Sequence, residues 1–323
     1  MQDDLGGVHV VLRGGGAVAT IDVPGASVRA RRSVCPAPRG LAWNPSVRAL
    51  HVACAGGEFV TLPATGEALP ATVIGPDLRD VVVHDGAVYV SEFRRATLRR
   101  VDVSGGTARA TVVEATGDPA TETTAWRLAS VAGSLVTLSQ SVRSFSLGGT
   151  SSTAGYYGNI STATIPMTPH VRVAIPGGEQ QFDALVADGG LTVDVAAVTD
   201  GGRWRVAVAS PGWAFAQGFA QVREWTLSPT TGQRVLRGAA DARALRMPGQ
   251  AVAVAYTASR ELIVQTRAPG RIVTPTRTIT LYDDEVAEVG HDVFHAGGGE
   301  AHGRTAQLTE PQLGDLVAYL ESL

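Results

Sequence analysis

Arg39-Gly40-Leu41-Ala42-Trp43, the turn Asn44-Pro45, Leu50-His51-Val52-Ala53-Cys54, the glycine pair Gly56-Gly57 and Phe59-Val60-Thr61-Leu62 form the stretch from which the chain can be read. Each run is too short for a helix, and turn residues separate them, so three antiparallel strands follow. The arrangement returns from Arg79. Asp80-Val81-Val82-Val83 turns at His84-Asp85-Gly86 into Ala87-Val88-Tyr89-Val90, and Leu98-Arg99-Arg100-Val101-Asp102-Val103 follows. A third copy runs from Trp126 through the turn Ala132-Gly133 to Ser134-Leu135-Val136-Thr137-Leu138. A fourth is expected to start near Phe182, turn at Asp188-Gly189-Gly190 and continue through Leu191-Thr192-Val193. A fifth starts at Ala251.

Groups of short strands, rather than single strands, are what repeat, at about the spacing of propeller blades. One blade cannot bury both faces alone, so neighbours must pack together. Upstream, Val8-His9-Val10-Val11-Leu12 and Ala17-Val18-Ala19-Thr20-Ile21 read as a hairpin with no strand before it. The fold class is therefore all-β, a β-propeller of six blades or an incomplete seven, over residues 1–285. A short helical tail, 286–323, follows. In the tail, Thr309-Glu310-Pro311-Gln312 has a capping-box layout, and Leu313, Leu316, Val317 and Leu320 share one helix face. Such a short helix needs a surface to pack on.

At 44% hydrophobic, 323 residues are ample for a core. A net charge of −3 gives no reason to expect a nucleic-acid partner. No apolar run reaches the roughly 18 residues of a membrane span, and the start of the sequence lacks the layout of a signal peptide. Cys35 and Cys54 fall near the ends of neighbouring strands. One reading joins them in a disulfide, which implies an oxidising compartment; the other leaves two half-buried thiols in a reducing one.

Three features could carry chemistry. His291 and His295 are spaced to share a helix face, with Glu300 and His302 nearby, a pattern that could converge imidazoles on a divalent metal. The glutamate that catalytic versions of such a motif carry is missing. Tyr156-Tyr157, in a Ser/Thr/Gly-rich insertion, and Trp213, Phe215 and Phe219 in a second one form a candidate partner surface. Asp283, Asp284, Glu285 and Glu288 are the densest acidic group and read as a solvated junction. Arg94, Arg95, Arg99 and Arg100 are a basic patch that would suit an acidic partner or a charged hairpin edge. No nucleophile elbow or phosphate loop is present.

Cys35-Pro36-Ala37-Pro38-Arg39-Gly40-Leu41-Ala42-Trp43, Leu50 to Glu58 and Leu78 to Val83 resemble propeller segments of bacterial proteins that join a YVTN-like propeller to a c-type cytochrome domain. That domain is similar to the di-haem cytochrome c peroxidases. Gly290-His291-Asp292-Val293-Phe294-His295 resembles its opening. His302-Gly303-Arg304-Thr305, Leu308-Thr309 and Asp315 to Leu320 resemble its close. The resemblance implies an exported or periplasmic family that transfers electrons or reduces peroxide on haem. Only Ala296 to Ala301 separates opening from close, however, and no Cys-x-x-Cys-His occurs, so the haem-bearing body is missing. The function expected is that of a non-enzymatic scaffold or binding module with a vestigial tail and no cofactor. The alternatives are a redox protein, with haem held non-covalently or electrons relayed from a separate cytochrome, and a propeller hydrolase or lactonase with a channel metal.

Overall fold

The computed structural model describes residues 1–104, 107–115, 122–142, 167–178, 180–186, 192–211, 221–228, 235–237, 242–267, 269–282 and 311. The chain is a six-bladed β-propeller. It divides into two compact units, the first Met1–Leu185 with Pro229–Leu236, the second Val186–Ser228 with Arg237–Leu323.

The first unit holds four blades. Blade 1 is β1 (Gly7–Leu12), β2 (Ala17–Asp22) and β3 (Ser27–Ser33). Blade 2 is β4 (Pro38–Asn44), β5 (Ala49–Cys54), β6 (Glu58–Pro63) and β7 (Thr72–Val73). Blade 3 is β8 (Leu78–His84), β9 (Ala87–Glu92), β10 (Thr97–Ser104) and β11 (Thr107–Ala115). Blade 4 is β12 (Glu122–Val131), β13 (Ser134–Val142), β14 (Met167–Ala174) and β15 (Gln180–Leu185), extended by β19 (Val235–Arg237). The second unit holds blade 5, made of β16 (Asp194–Asp200), β17 (Arg203–Ala209), β18 (Val222–Leu227) and β20 (Arg243–Leu245). It also holds blade 6, made of β21 (Gln250–Tyr256), β22 (Leu262–Arg267), β23 (Gly270–Val273) and β24 (Thr278–Tyr282). The pairings whose register is described are antiparallel.

The expected fourth copy is displaced. Phe182 lies in the fourth strand of blade 4, where it pairs with Val173 of β14. The fifth blade begins instead at Asp194 and turns at Gly201-Gly202. The cause is the long insertion between the second and third strands of blade 4, which delays that blade's last two strands. In blade 1, Gln2 bridges to Val8, so the residues before β1 run antiparallel beside it, where an empty edge was expected.

Apolar side chains are buried between successive sheets, as neighbour packing requires. Val18, Trp43, Leu50, Val52, Val60 and Leu62 fill the space between blades 1 and 2. Phe59, Leu78, Val81, Val88 and Val90 do so between blades 2 and 3, and Tyr89, Leu98, Leu128 and Leu135 between blades 3 and 4. In the second unit Ala207, Val222, Val254, Leu262 and Val264 play the same part.

Cys35 and Cys54 form a disulfide inside the first of these clusters, with Cα atoms 6.4 Å apart. It ties the chain leaving blade 1 to the second strand of blade 2. Closing a loop of 19 residues restricts the unfolded chain by about 3 kcal/mol. Cys35→Ser/Cys54→Ser is therefore expected to lower stability by about that amount, read as a lower urea midpoint, and reductant should do the same to the unmodified chain.

Buried histidines join the turn that precedes their own strand to the strand that follows it. His51, on β5, meets Asn44 Nδ2 through Nε2 at 3.3 Å and Thr61 Oγ1 through Nδ1 at 3.2 Å. His9 repeats this in blade 1, with Asp3 Oδ2 at 2.9 Å and Thr20 Oγ1 at 3.0 Å. Burial pushes the His51 imidazole down to about 4. The unfolded imidazole takes up a proton below pH about 6.5 that the folded one refuses until pH about 4. The stability due to a neutral His51 is thus whole above pH 6.5 and lost between there and about 4. It amounts to about 3 kcal/mol. His51→Gln should flatten the fall of the urea midpoint over that window.

Candidate functional site: an arginine and aromatic ladder

The first strands of blades 2, 3, 4 and 6 share one irregularity. In β4 the register with β5 passes from Pro38↔Cys54 to Gly40↔Ala53, so Arg39 has no cross-strand partner. In β8 the skipped residue is Arg79, in β12 Trp126, and in β21 Val252. A bulge turns its extra residue away from the pleat and re-aims the side chain. Because first strands of neighbouring blades pack together, the same bulge on blades 2, 3 and 4 brings Arg39, Arg79 and Trp126 to one place. They are 40 and 47 residues apart in sequence.

Phe93, just past β9, completes the group. Its N–H donates to Asp77 O at 2.8 Å, and its carbonyl accepts from Ala125 N–H at 2.9 Å, stitching blade 3 to blade 4. The Phe93 ring meets Trp126 edge-on, with centroids 5.1 Å apart. The Arg79 guanidinium lies 5.0 Å from both ring centroids, and that of Arg39 lies 5.5 Å from Phe93. These are cation–π distances.

Charge is unevenly balanced here. Asp77 takes a 2.5 Å hydrogen bond from Arg39 Nη1 and an ion pair at 3.3 Å with the exposed Arg94. Arg127 pairs with Asp80 at 3.5 Å. Asp80 is buried and spends its oxygens on backbone, accepting from Val81 N–H at 3.0 Å and Leu128 N–H at 2.9 Å. Burial raises its carboxyl pKa above the ordinary value, against the pull of Arg127 and those N–H groups. Arg79, between the two pairs, holds no carboxylate by hydrogen bond among the described residues. Burial first, and then the charges of Arg39 and Arg127, push it down to about 10, and it is still a cation at neutral pH. Arg13, in the turn between β1 and β2, joins the same field and is lowered by burial and by Arg39. Arg39 Nε and Trp126 Nε1 also lack an acceptor among the described residues.

A second polar chain crosses blade 4. Ser141 Oγ lies 2.7 Å from His170 Nε2, and His170 Nδ1 lies 3.6 Å from Asp183 Oδ1, with Arg172 also 3.7 Å from that carboxylate. The residue types suit nucleophilic catalysis, but the histidine–carboxylate contact is not a hydrogen bond, so the carboxylate does not fix the tautomer as a triad requires. The serine is 9% exposed. In the second unit, Glu224 accepts from Arg205 at 2.5 Å and Tyr256 Oη–H at 2.8 Å, bracing β17, β18 and β21. Arg243, Asp200 and Arg260 extend that network to the surface.

The sequence-derived candidates fall elsewhere. His291, His295 and His302, the acidic group at 283–288, Tyr156, Tyr157, Trp213, Phe215 and Phe219 lie outside the described residues. Of the closing helix only Pro311, in helical conformation, is described. No group of three metal-ligating side chains occurs among the described residues. The chain's two cysteines are joined to each other, so no thiol is left for a thioether to haem. In the basic patch, Arg99 is committed to Glu92 at 2.6 Å and Arg100 to Asp102 at 3.5 Å, while Arg94 reaches the ladder through Asp77.

No protein-family model and no curated protein matches the chain. Many solved structures do share its fold. Kuenenia stuttgartiensis hydrazine synthase aligns over 88% of this chain and 95% of its own, with a TM-score of 0.51 and 10% identity. The RRP9 WD40 repeats align over 82% and 71%, with a TM-score of 0.56 and 11% identity. A catalytically inactive virginiamycin B lyase from Staphylococcus aureus, solved with quinupristin, aligns over 89% and 84%, with a TM-score of 0.55 and 11% identity. At such identities the likeness is one of fold alone.

Proposed function

We propose that this chain is a non-enzymatic propeller, a binding module whose recognition face is the arginine-bearing end of blades 1 to 4. The carrying observation is the contrast between two sets of polar residues. The buried histidines, Asp80, Asp194 and Glu224 are used up in holding strands and blades together. Arg79 and Arg13 are not; among the described residues neither gives a hydrogen bond to a carboxylate, and Arg79 feels only the charge of Asp80, which Arg127 already holds. Desolvated like charges cost stability, and a fold keeps them where something else compensates. The WD40 likeness is compatible with this reading and adds only the fold. The disulfide favours an oxidising compartment. The reading takes the tail as vestigial and asks for no cofactor.

The experiment is a panel of ester, lactone and peroxide substrates offered to the purified chain and to Ser141→Ala and His170→Gln. No turnover by the unmodified chain is the expected result. Turnover that survives purification and disappears in either variant would replace the binding module with a hydrolase.

A further inference from the structure

We propose that the ladder receives a carboxylate on Arg79, and that the carboxylate belongs to an acidic, extended segment of a partner protein. The inference rests on the binding-module reading and adds the chemistry of the partner. Arg39 has Asp77 and Arg127 has Asp80, each a carboxylate within 3.5 Å. Arg79 stands beside them in the same surroundings, with aromatic rings at 5.0 Å and, among the described residues, no carboxylate of its own beyond the charge of Asp80 that it shares with Arg127. The site therefore displays its own template: a third carboxylate would do for Arg79 what Asp77 does for Arg39. A guanidinium presents its donors in one plane, as a fork that fits a planar carboxylate. Stacking on Phe93 and Trp126 fixes that plane in advance, so little rotamer freedom remains to be lost on binding.

Charge sets the kind of partner. Among the described residues five arginines (Arg13, Arg39, Arg79, Arg94 and Arg127) gather about two carboxylates, Asp77 and Asp80, so a local surplus of positive charge sits on a chain of net charge −3. Arg13 and Arg79 come from blades 1 and 3, so the surplus is spread along the blade ends rather than gathered at a point. A run of acidic side chains meets that distribution better than one compact anion does. Arg79's raised readiness to lose its proton records the same strain, which a bound carboxylate would relieve.

The test is a fluorescence-anisotropy titration of the full chain with a short labelled oligoglutamate peptide at low salt. Inorganic phosphate and a single-stranded oligodeoxynucleotide of equal charge serve as competitors. Arg79→Met should weaken peptide binding by about tenfold or more, and Arg94→Gln, at the exposed rim, by less than roughly threefold. Arg13→Gln, outside the aromatic stack, should weaken it by roughly threefold and keeps the test usable if Arg79→Met does not fold. Peptide binding that is absent, or equal in all variants, overturns the inference. So does displacement by phosphate or by the oligodeoxynucleotide at lower concentration than by unlabelled peptide. A chain with neither turnover nor peptide binding loses this inference and keeps the binding module. A chain with turnover through Ser141 loses the binding module whatever the peptide does.

Discussion

Gly40→Val is expected to lower the stability of the first unit by at least about 4 kcal/mol, and to leave little folded protein at 37 °C. A Cβ on Gly40 would sit 2.6 Å from Asp80 Cα, 2.8 Å from Val81 N and 2.9 Å from Asp80 C. All three are backbone atoms of β8, whose own position is set by Leu78 and Val81 packing in the cluster between blades 2 and 3. Nothing there can rotate aside, so the strands must separate, and close-packed interiors resist even an added methylene. Alanine should show most of the effect, because the first carbon makes the clash. Gly14→Ala is the control: a Cβ there meets nothing within 4 Å, and its effect should stay within about 0.5 kcal/mol. Urea unfolding of the three variants, followed by tryptophan emission, separates the two outcomes. A Gly40→Val chain as stable as the control would mean that β4 and β8 are not in contact at this point.

The sequence shows the blades where strand and turn residues follow one another without interruption. Leu50 to Leu62, Asp80 to Val90 and Ala251 to Val264 each contain two adjacent strands and a tight turn, and each is a hairpin in the structure. It misleads at Phe182 because local pattern cannot tell the last strand of one blade from the first of the next when an insertion has shifted the count. The ladder was hidden for a different reason. Arg39 and Arg79 open their copies of the repeat, and only the bulge makes that place special. A bulge is a property of pairing between strands, with no signature in a single strand's residues. Trp126 holds the equivalent position with a different side chain, so comparing the repeats for identity also passes over it. An alignment of the repeats by position, asking which column collects arginine and tryptophan, would have found it. The His51 and His9 networks were hidden in the same way, since a histidine in a strand does not show which turn it will complete.

Asp80→Ala is expected to cost about 4 kcal/mol and Asp194→Ala about 2 kcal/mol, whereas the asparagine variants should cost only about 1 kcal/mol. The two aspartates do one job in different blades. Asp80 Oδ2 accepts from Leu128 N–H at 2.9 Å, and Asp194 Oδ2 accepts from Val254 N–H, also at 2.9 Å. Each recipient lies two residues beyond the bulge of the next blade, at Trp126 and at Val252. The bulge interrupts the ladder with the second strand, and the carboxylate of the preceding blade takes the N–H turned toward it. Alanine leaves that N–H buried and unmet, together with the Val81 N–H in the case of Asp80; orphaned donors carry the full desolvation cost. Asparagine keeps an acceptor oxygen. For Asp80 it also removes a charge that burial disfavours, which offsets part of what is lost. Since the folded Asp80 carboxyl holds its proton to higher pH than the unfolded one, its contribution strengthens as pH falls, opposite in sign to His51. The alanine variants should therefore lose protection of the Leu128 and Val254 amides in hydrogen exchange, and the asparagine variants should keep it. Equal losses for alanine and asparagine would show that charge rather than acceptance joins the blades, and would move the explanation for Asp80 to its pairing with Arg127.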